Sequence, residues 1–336
     1  MFEKWFHKAP EGQFIALSSR VRLARNVEGL PFPGHMTEAQ SRDLIAKCRE
    51  AVEAVPALGA KIYESRDSAE FYPAMAESHL VSREFAASDA PRAVFLSEDE
   101  SISLMVNEED HLRLQVLGAG LCLEECLDAA GKADDALCER LHFSFDEHLG
   151  YLTHCPTNLG TGLRASVMLH LPALTECGGI RVLSDSAAKM GICIRGFFGE
   201  GSEAVGALYQ VSNQVSLGMS ESEIVRRVKD VVDQIIREET RLREEQLKSD
   251  RVGLEDKVFR AVGTLRYARR ISSAEAMELL SDVRLGLSLG LTDALSATDL
   301  SELVREIMPA VIDPKGEMSP AGRDEARAKA IAKHFA

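Results

Sequence analysis

The sequence predicts an α+β fold, an antiparallel sheet flanked by helices, with an all-helical C-terminal domain. Two patterns predict it. Up to about residue 217, short apolar runs alternate like strands and are separated by turn signals and a few helical stretches. Beyond about Lys248 the apolar spacing is helical only. Strands followed by helices alone argue against alternating βαβ units. A chain of 336 residues has room for one large domain and a smaller one. The expected division is 1–247 and 248–336.

Residues 1–14 read as a lead whose Trp5 and Phe6 pack on the body. Residues 14–24 alternate as a strand. Leu44, Ile45, Cys48 and Val52 give 37–54 helical spacing, with Thr37 as N-cap. Segments 93–96 and 101–106 form a hairpin around Ser97 to Glu100. Residues 118–141 read as mainly helical, with Cys122 and Cys126 on one face. Segments 142–145 and 151–154 form a second hairpin. Residues 191–196 and 208–217 are further strands. Between them 196–206 carries four glycines and is mobile, as a lid must be. Ser220 and Glu223 form a capping box, and Ile224, Val228, Val231, Ile235 and Leu242 make the stripe of the helix that follows. Ser272 and Glu275 form another, ahead of Met277, Leu280, Val283 and Leu287. Ser319 as N-cap and Pro320 at N1 open the last helix.

The formal charge of −14 argues against nucleic acid as a main partner, because binding a phosphate backbone needs a cationic surface. Seven cysteines with no CxxC pair make a structural zinc site unexpected and fit a reducing cytoplasm. No run of about 18 apolar residues predicts a membrane span, and residues 1–8 lack the apolar core of a signal peptide.

The richest stretch is Cys155-Pro156-Thr157-Asn158-Leu159-Gly160-Thr161-Gly162-Leu163-Arg164. Arg164 can present a planar fork to phosphate oxygens, and Gly160 and Gly162 let backbone approach a ligand. Residues 155–161 resemble the nucleotide-binding signature of the phosphagen (guanidino) kinases. Three more segments resemble that family's motifs, in its order. Ser18 to Asn26 is similar to the first nucleotide-contacting strand, Asn107 to Arg113 to the catalytic-carboxylate motif, and Arg195 to Glu203 to the closing loop, with 210–214 as the strand after it. Within the family the chain is most similar to the bacterial protein-arginine kinases. The helical domain that precedes the first arginine motif in arginine and creatine kinases is expected to be absent. That would leave the acceptor pocket open to an arginine on a protein.

The resemblance implies ATP and Mg2+ as cofactors. It places ATP on Ser18, Ser19, Arg20, Val21 and Arg22, with Arg20 and Arg22 pointing to one strand face. It continues with His79 in the adenine region, Arg113, then Arg164, Ala165, Ser166, Val167 and Met168. Arg195, Gly196, Phe197, Phe198, Gly199 and Glu200 complete the set. Glu109 and Glu200 match the catalytic carboxylates. An acceptor guanidinium is a poor nucleophile while protonated, so it needs anions to orient it and take a proton. Cys155 would add a third anion; the alternative is a small packing residue. No metal-ligating side chain is implied. Arg323, Asp324, Arg327 and Ala328 resemble the phosphoarginine-binding motif of the protein-arginine kinases; by spacing alone Arg323 and Arg327 are an ordinary solvated face. The implied partners are proteins with accessible arginine, a McsA-like activator and a Clp-type protease. The implied assembly is a cytoplasmic homodimer with no membrane contact. Two other functions remain open: a free-arginine or other small-guanidino kinase, and a non-catalytic phosphoarginine-binding adaptor.

Overall fold

The computed structural model describes residues 14–53, 55, 57–196 and 205–335. Ten strands occur among them: β1 Ala16–Arg25, β2 Lys61–Glu64, β3 Ala93–Leu96, β4 Ile102–Val106, β5 Leu112–Ala119, β6 Phe145–Asp146, β7 Gly150–Tyr151, β8 Leu163–His170, β9 Ile192–Gly196 and β10 Leu208–Asn213. Eight of them make one antiparallel sheet in the order β2-β3-β4-β5-β1-β8-β10-β9, and β6 pairs with β7. The predicted α+β class is what folds, with helices alone from Glu221 onward.

The two faces of the sheet do different work. Alternate side chains of the central strands (Val21, Leu23, Leu114, Val116, Ala165, Val167) enter the main core. The helices Glu38–Glu53, Leu123–Leu141 and Glu221–Ser249 cover that side with their apolar stripes. On the opposite face a small core around Tyr72, Met75 and Phe85 covers β3 and β4. At the other side of the sheet the C-terminal helices bury Leu208 and pack on Leu17 and Met168. The middle of that face, along β5, β1 and β8, floors the cleft described below.

The helix expected from residue 118 begins at Leu123 instead, because β5 runs to Ala119 and Gly120 turns the chain at φ +73°. Cys122 stands at the N-cap position without a side-chain capping bond, and its Sγ lies 3.9 Å from Cys126 Sγ. The apolar run after Arg164 is a central strand. β2 had no expectation at all; its four residues are half-buried and its pattern is short. The second hairpin shrinks to two residues a side. The Ser220 capping box forms in both directions, whereas at Ser272 the hydroxyl accepts from Glu275 N. Among the described residues, no helix is long and apolar enough to cross a membrane.

Candidate active site

Strand register builds the site. Across β1 and β8, Arg22 faces Arg164, Arg20 faces Ser166 and Ser18 faces Met168. Across β1 and β5, Ala24 faces Arg113. On the far side of β8, Met168 faces Gln210, which in turn faces Arg195 on β9. Directly opposed residues share a face, so all five arginines stand on the side away from the main core. Four of them, Arg22, Arg113, Arg164 and Arg195, line one cleft with Glu109 and Cys155, a space of ≈ 1200 Å³ counting its open mouth.

Like charges crowd this face. Burial, then Arg164 and Arg113, push the Arg20 guanidinium down to about 10. Burial and the three neighbouring arginines push Arg22 well below its ordinary value, against a partial counter-pull from Glu108. Each group would be relieved by a polyanion, which is the electrostatic preparation that phosphoryl transfer needs. Arg164 donates to Ser212 Oγ at 3.3 Å, and Arg195 Nε lies 3.1 Å from Cys193 Sγ.

Three consecutive acids take separate tasks. The side chain of Glu108 is buried and accepts from Arg113 at 2.6 Å and from Ser82 Oγ at 2.6 Å, which fixes that arginine. Glu109 is the one that reaches the cleft; Arg113 donates to it at 3.1 Å, and His154 Nδ1 lies 3.8 Å away. Asp110 is fully buried and accepts from Asn26 Nδ2 and from His154 N, both at 2.7 Å. It thereby ties the carboxylate turn to the loop that carries Cys155. Cys155 Sγ lies 3.0 Å from Thr157 Oγ1. Gly162, at φ +65°, leaves no room for a Cβ, which would come within 2.6 Å of Ala24 O. The close approach expected for this glycine was to a ligand; the one observed is to β1.

Ser18, Arg20, Arg22, Arg113, Arg164, Ser166, Met168 and Arg195 therefore share one face, with His79 beside Ser18 and Arg20. His79 is held neutral, its pKa pushed down to about 3 by burial, then Arg20 and Arg83. The side chains of Ser19, Val21, Ala165 and Val167 lie on the other face, in the core. Ser19 Oγ donates to Gly120 O and accepts from Cys122 N, a structural task. Gly196 ends β9, and Phe197, Phe198, Gly199 and Glu200 lie outside the described residues. Arg327 is buried rather than solvated, donating to the carbonyls of Ile307 and Ile271 and to Asp324 at 2.7 Å. Arg323 donates to Met318 O, and Ala328 is buried. Glu108 and Asp110 were expected to point elsewhere or to support Glu109, and their contacts are supporting ones; no task had been assigned to Asn26 or Ser212. For Ser212 a signal existed, since cross-strand pairing sets it opposite Ser166 once β8 and β10 are aligned.

Comparison with known proteins identifies the family. The family described as ATP:guanido phosphotransferase, C-terminal catalytic domain, matches residues 49–242, and the protein-arginine kinase McsB C-terminal domain matches residues 251–336. The protein-arginine kinase of Symbiobacterium thermophilum is 43% identical over 335 residues, covering 98% of this chain and 95% of the relative. That of Caldanaerobacter subterraneus subsp. tengcongensis is 43% identical over 323 residues, covering 94% and 96%. A crystal structure of lombricine kinase is similar, with a TM-score of 0.61, 27% identity and 70% of each chain covered. Both parts of the sequence and the sheet itself thus lead to one place: this chain belongs to the protein-arginine kinases of the phosphagen kinase family, ATP-using guanido phosphotransferases that act on protein substrates.

Proposed function

We propose that the cleft holds the polyphosphate of Mg-ATP on Arg20, Arg22, Arg113, Arg164 and Arg195, and that a protein arginine enters beside Glu109 and Cys155. What supports this reading most is the single sheet face on which four strands bring all five guanidinium groups together. Glu109 orients the incoming guanidinium, and Glu200 is its second carboxylate. The N–P bond forms as the bond from the terminal phosphorus to the ADP oxygen breaks. The proton shed by the guanidinium passes to one of these carboxylates. A Cys155 thiolate would add a third anion beside the acceptor. Mg2+ enters with the nucleotide. Among the described residues no cluster of three or more His, Cys, Asp or Glu could hold a metal ion, and in this reading its ligands are phosphate oxygens and water.

The wider reading assigns catalysis to 1–247 and regulation to 248–336. Modified proteins go to a Clp-type protease in the cytoplasm under stress, with a McsA-like activator. A homodimer is supported by Val252, Phe259 and Tyr267, which stand exposed on the helix Arg251–Tyr267. Arg323, Asp324, Arg327 and Ala328 form a second, regulatory phosphoarginine site. There Nε and Nη1 of Arg327 are held by the carbonyls of Ile307 and Ile271 and by Asp324, which leaves Nη2 as its donor to a phosphate.

The test offers an unfolded basic protein and free arginine together with Mg-ATP. Products are read by mass spectrometry without acid, because the N–P bond is acid-labile. Phosphoarginine in the protein, with free arginine left unmodified, is the expected result. Phosphorylation of free arginine alone would overturn the reading of a protein arginine as the acceptor.

A further inference from the structure

A second cavity continues the arginine face beyond Arg20. Ser18, Met168 and His79 line both the narrow gap beside Arg20 and a larger space past it, ≈ 710 Å³ counting its open mouth. The far wall of that space belongs to the C-terminal helices. Met277, Ser281 and Arg284 come from the helix Ser273–Ser288, and Met308 follows the helix Ala297–Glu306. Glu77, on the third side, is tied to the same region by accepting from Ala310 N at 2.7 Å.

The polar groups of this wall face the cavity with donors. Arg284 is only 4% exposed and has no carboxylate partner among the described residues. Its one hydrogen bond there is long, 3.5 Å to Ser301 Oγ. Burial and the neighbouring Arg243 push it down to about 10. Ser281 Oγ lies 2.8 Å from His170 Nε2, and His170 Nδ1 lies 3.3 Å from an Arg243 nitrogen. Arginine only donates, so Nδ1 accepts and Nε2 carries the proton toward Ser281. The hydroxyl proton of Ser281 is then left to donate elsewhere.

A ligand for this wall needs a flat apolar body with acceptors on its edge, and a purine base with its ring nitrogens is such a body. Position agrees with chemistry. Ser18 to Arg22 spans about 13 Å at roughly 3.3 Å per residue of strand, close to the reach from base to terminal phosphate in an extended nucleotide. Met168, Met277 and Met308 are unbranched and flexible, able to re-pack around an entering ring.

We propose that the C-terminal helices supply one wall of the base pocket, with Arg284 and Ser281 as its polar contacts and Met277 and Met308 as its packing surface. The proposal rests on the reading of the arginine face as a polyphosphate site. The sheet then holds the phosphates and the C-terminal region the base, so the two halves of the nucleotide are recognised by different parts of the chain.

Calorimetry of the full-length protein with ATP and, separately, inorganic tripolyphosphate tests it. Arg284→Met removes the charged donor; Met277→Trp fills the cavity and leaves that donor in place. Each should weaken ATP by about tenfold or more, the scale of one hydrogen bond to a charged group, and change tripolyphosphate by less than about twofold. Unchanged ATP affinity in both variants overturns the proposal. So does an equal loss of both ligands, which would make the wall a support of the fold. Failure of the unaltered protein to bind tripolyphosphate overturns the arginine-face reading itself, and this proposal with it.

Discussion

At the scale of single residues, burial sorts the three acids that composition could not. Glu108, Glu109 and Asp110 are adjacent and chemically alike, yet one fixes Arg113, one opens to the cleft and one ties two loops together. Asp110→Ala should therefore lower turnover by roughly ten- to a hundredfold through misplacement of the Cys155 loop, while ATP affinity stays near normal. Asp110→Asn keeps an acceptor for His154 N and should recover most of the loss; steady-state kinetics of the two variants checks this. His79 gives a pH prediction. Its folded pKa of about 3 lies below the unfolded value of about 6.5. Above about pH 6.5 both states are neutral and the contribution is complete. As pH falls below that, only the unfolded chain takes up the proton, so stability is lost, by up to ~1.4 kcal/mol per unit, until about pH 3. Denaturant titrations from pH 7 to 4.5 should show a shallower slope in His79→Gln by one proton. The motif arginines and Glu109 were legible from residue identity and order. The partners of Glu108 and Asp110 were not, because Ser82 and Asn26 lie far away in sequence.

At the scale of elements, strand alternation turns motifs into a site. Residues 18–22 and 164–168 were expected to contact nucleotide as continuous stretches, but a strand gives each face only every second side chain. Arg20 and Arg22 could be placed on one face from spacing alone. Their juxtaposition with Arg164 depends on β1–β8 register, which no local pattern contains. β5 was hidden because its motif residues and its turn at Gly120 adjoin a helix with similar apolar content. The tight turn before β8 makes a sharp prediction. Gly162→Ala forces φ +65° on a side chain and drives Cβ to 2.6 Å from Ala24 O. The expected cost is about 1–3 kcal/mol or more in stability, with turnover reduced because β1 and β8 carry Arg22 and Arg164. A thermal melt showing no change would mean that the turn has another conformation.

At the scale of the whole molecule, a buried ionic network joins sheet, long helix and C-terminal region. Glu239 accepts from Ala173 N and Leu174 N, pairs with Arg243 at 2.7 Å, and both are almost fully buried. Arg243 also donates to His170 O and to Ser288 Oγ on the helix Ser273–Ser288. Glu239→Ala leaves a buried cation unpaired and should cost about 3–5 kcal/mol in equilibrium unfolding, far more than any exposed pair on the same helix. Of the C-terminal helices, Ser273–Ser288 and Pro320–His334 were legible from their caps, whereas Ala297–Glu306 with its Ser296 capping box was not singled out. Their packing on the catalytic sheet was not legible, since Leu208, Met168 and His170 meet them only in the folded chain.

The most direct measurement of the central claim pairs turnover with ATP affinity in Glu109→Gln. A carboxylate that faces the acceptor, on a face whose arginines hold the phosphates, predicts that phosphoarginine formation on an unfolded protein falls by about a hundredfold or more. The dissociation constant for ATP should stay within about threefold, because no phosphate contact is removed. Near-normal phosphoarginine formation in this variant, read by mass spectrometry at neutral pH, would contradict the account.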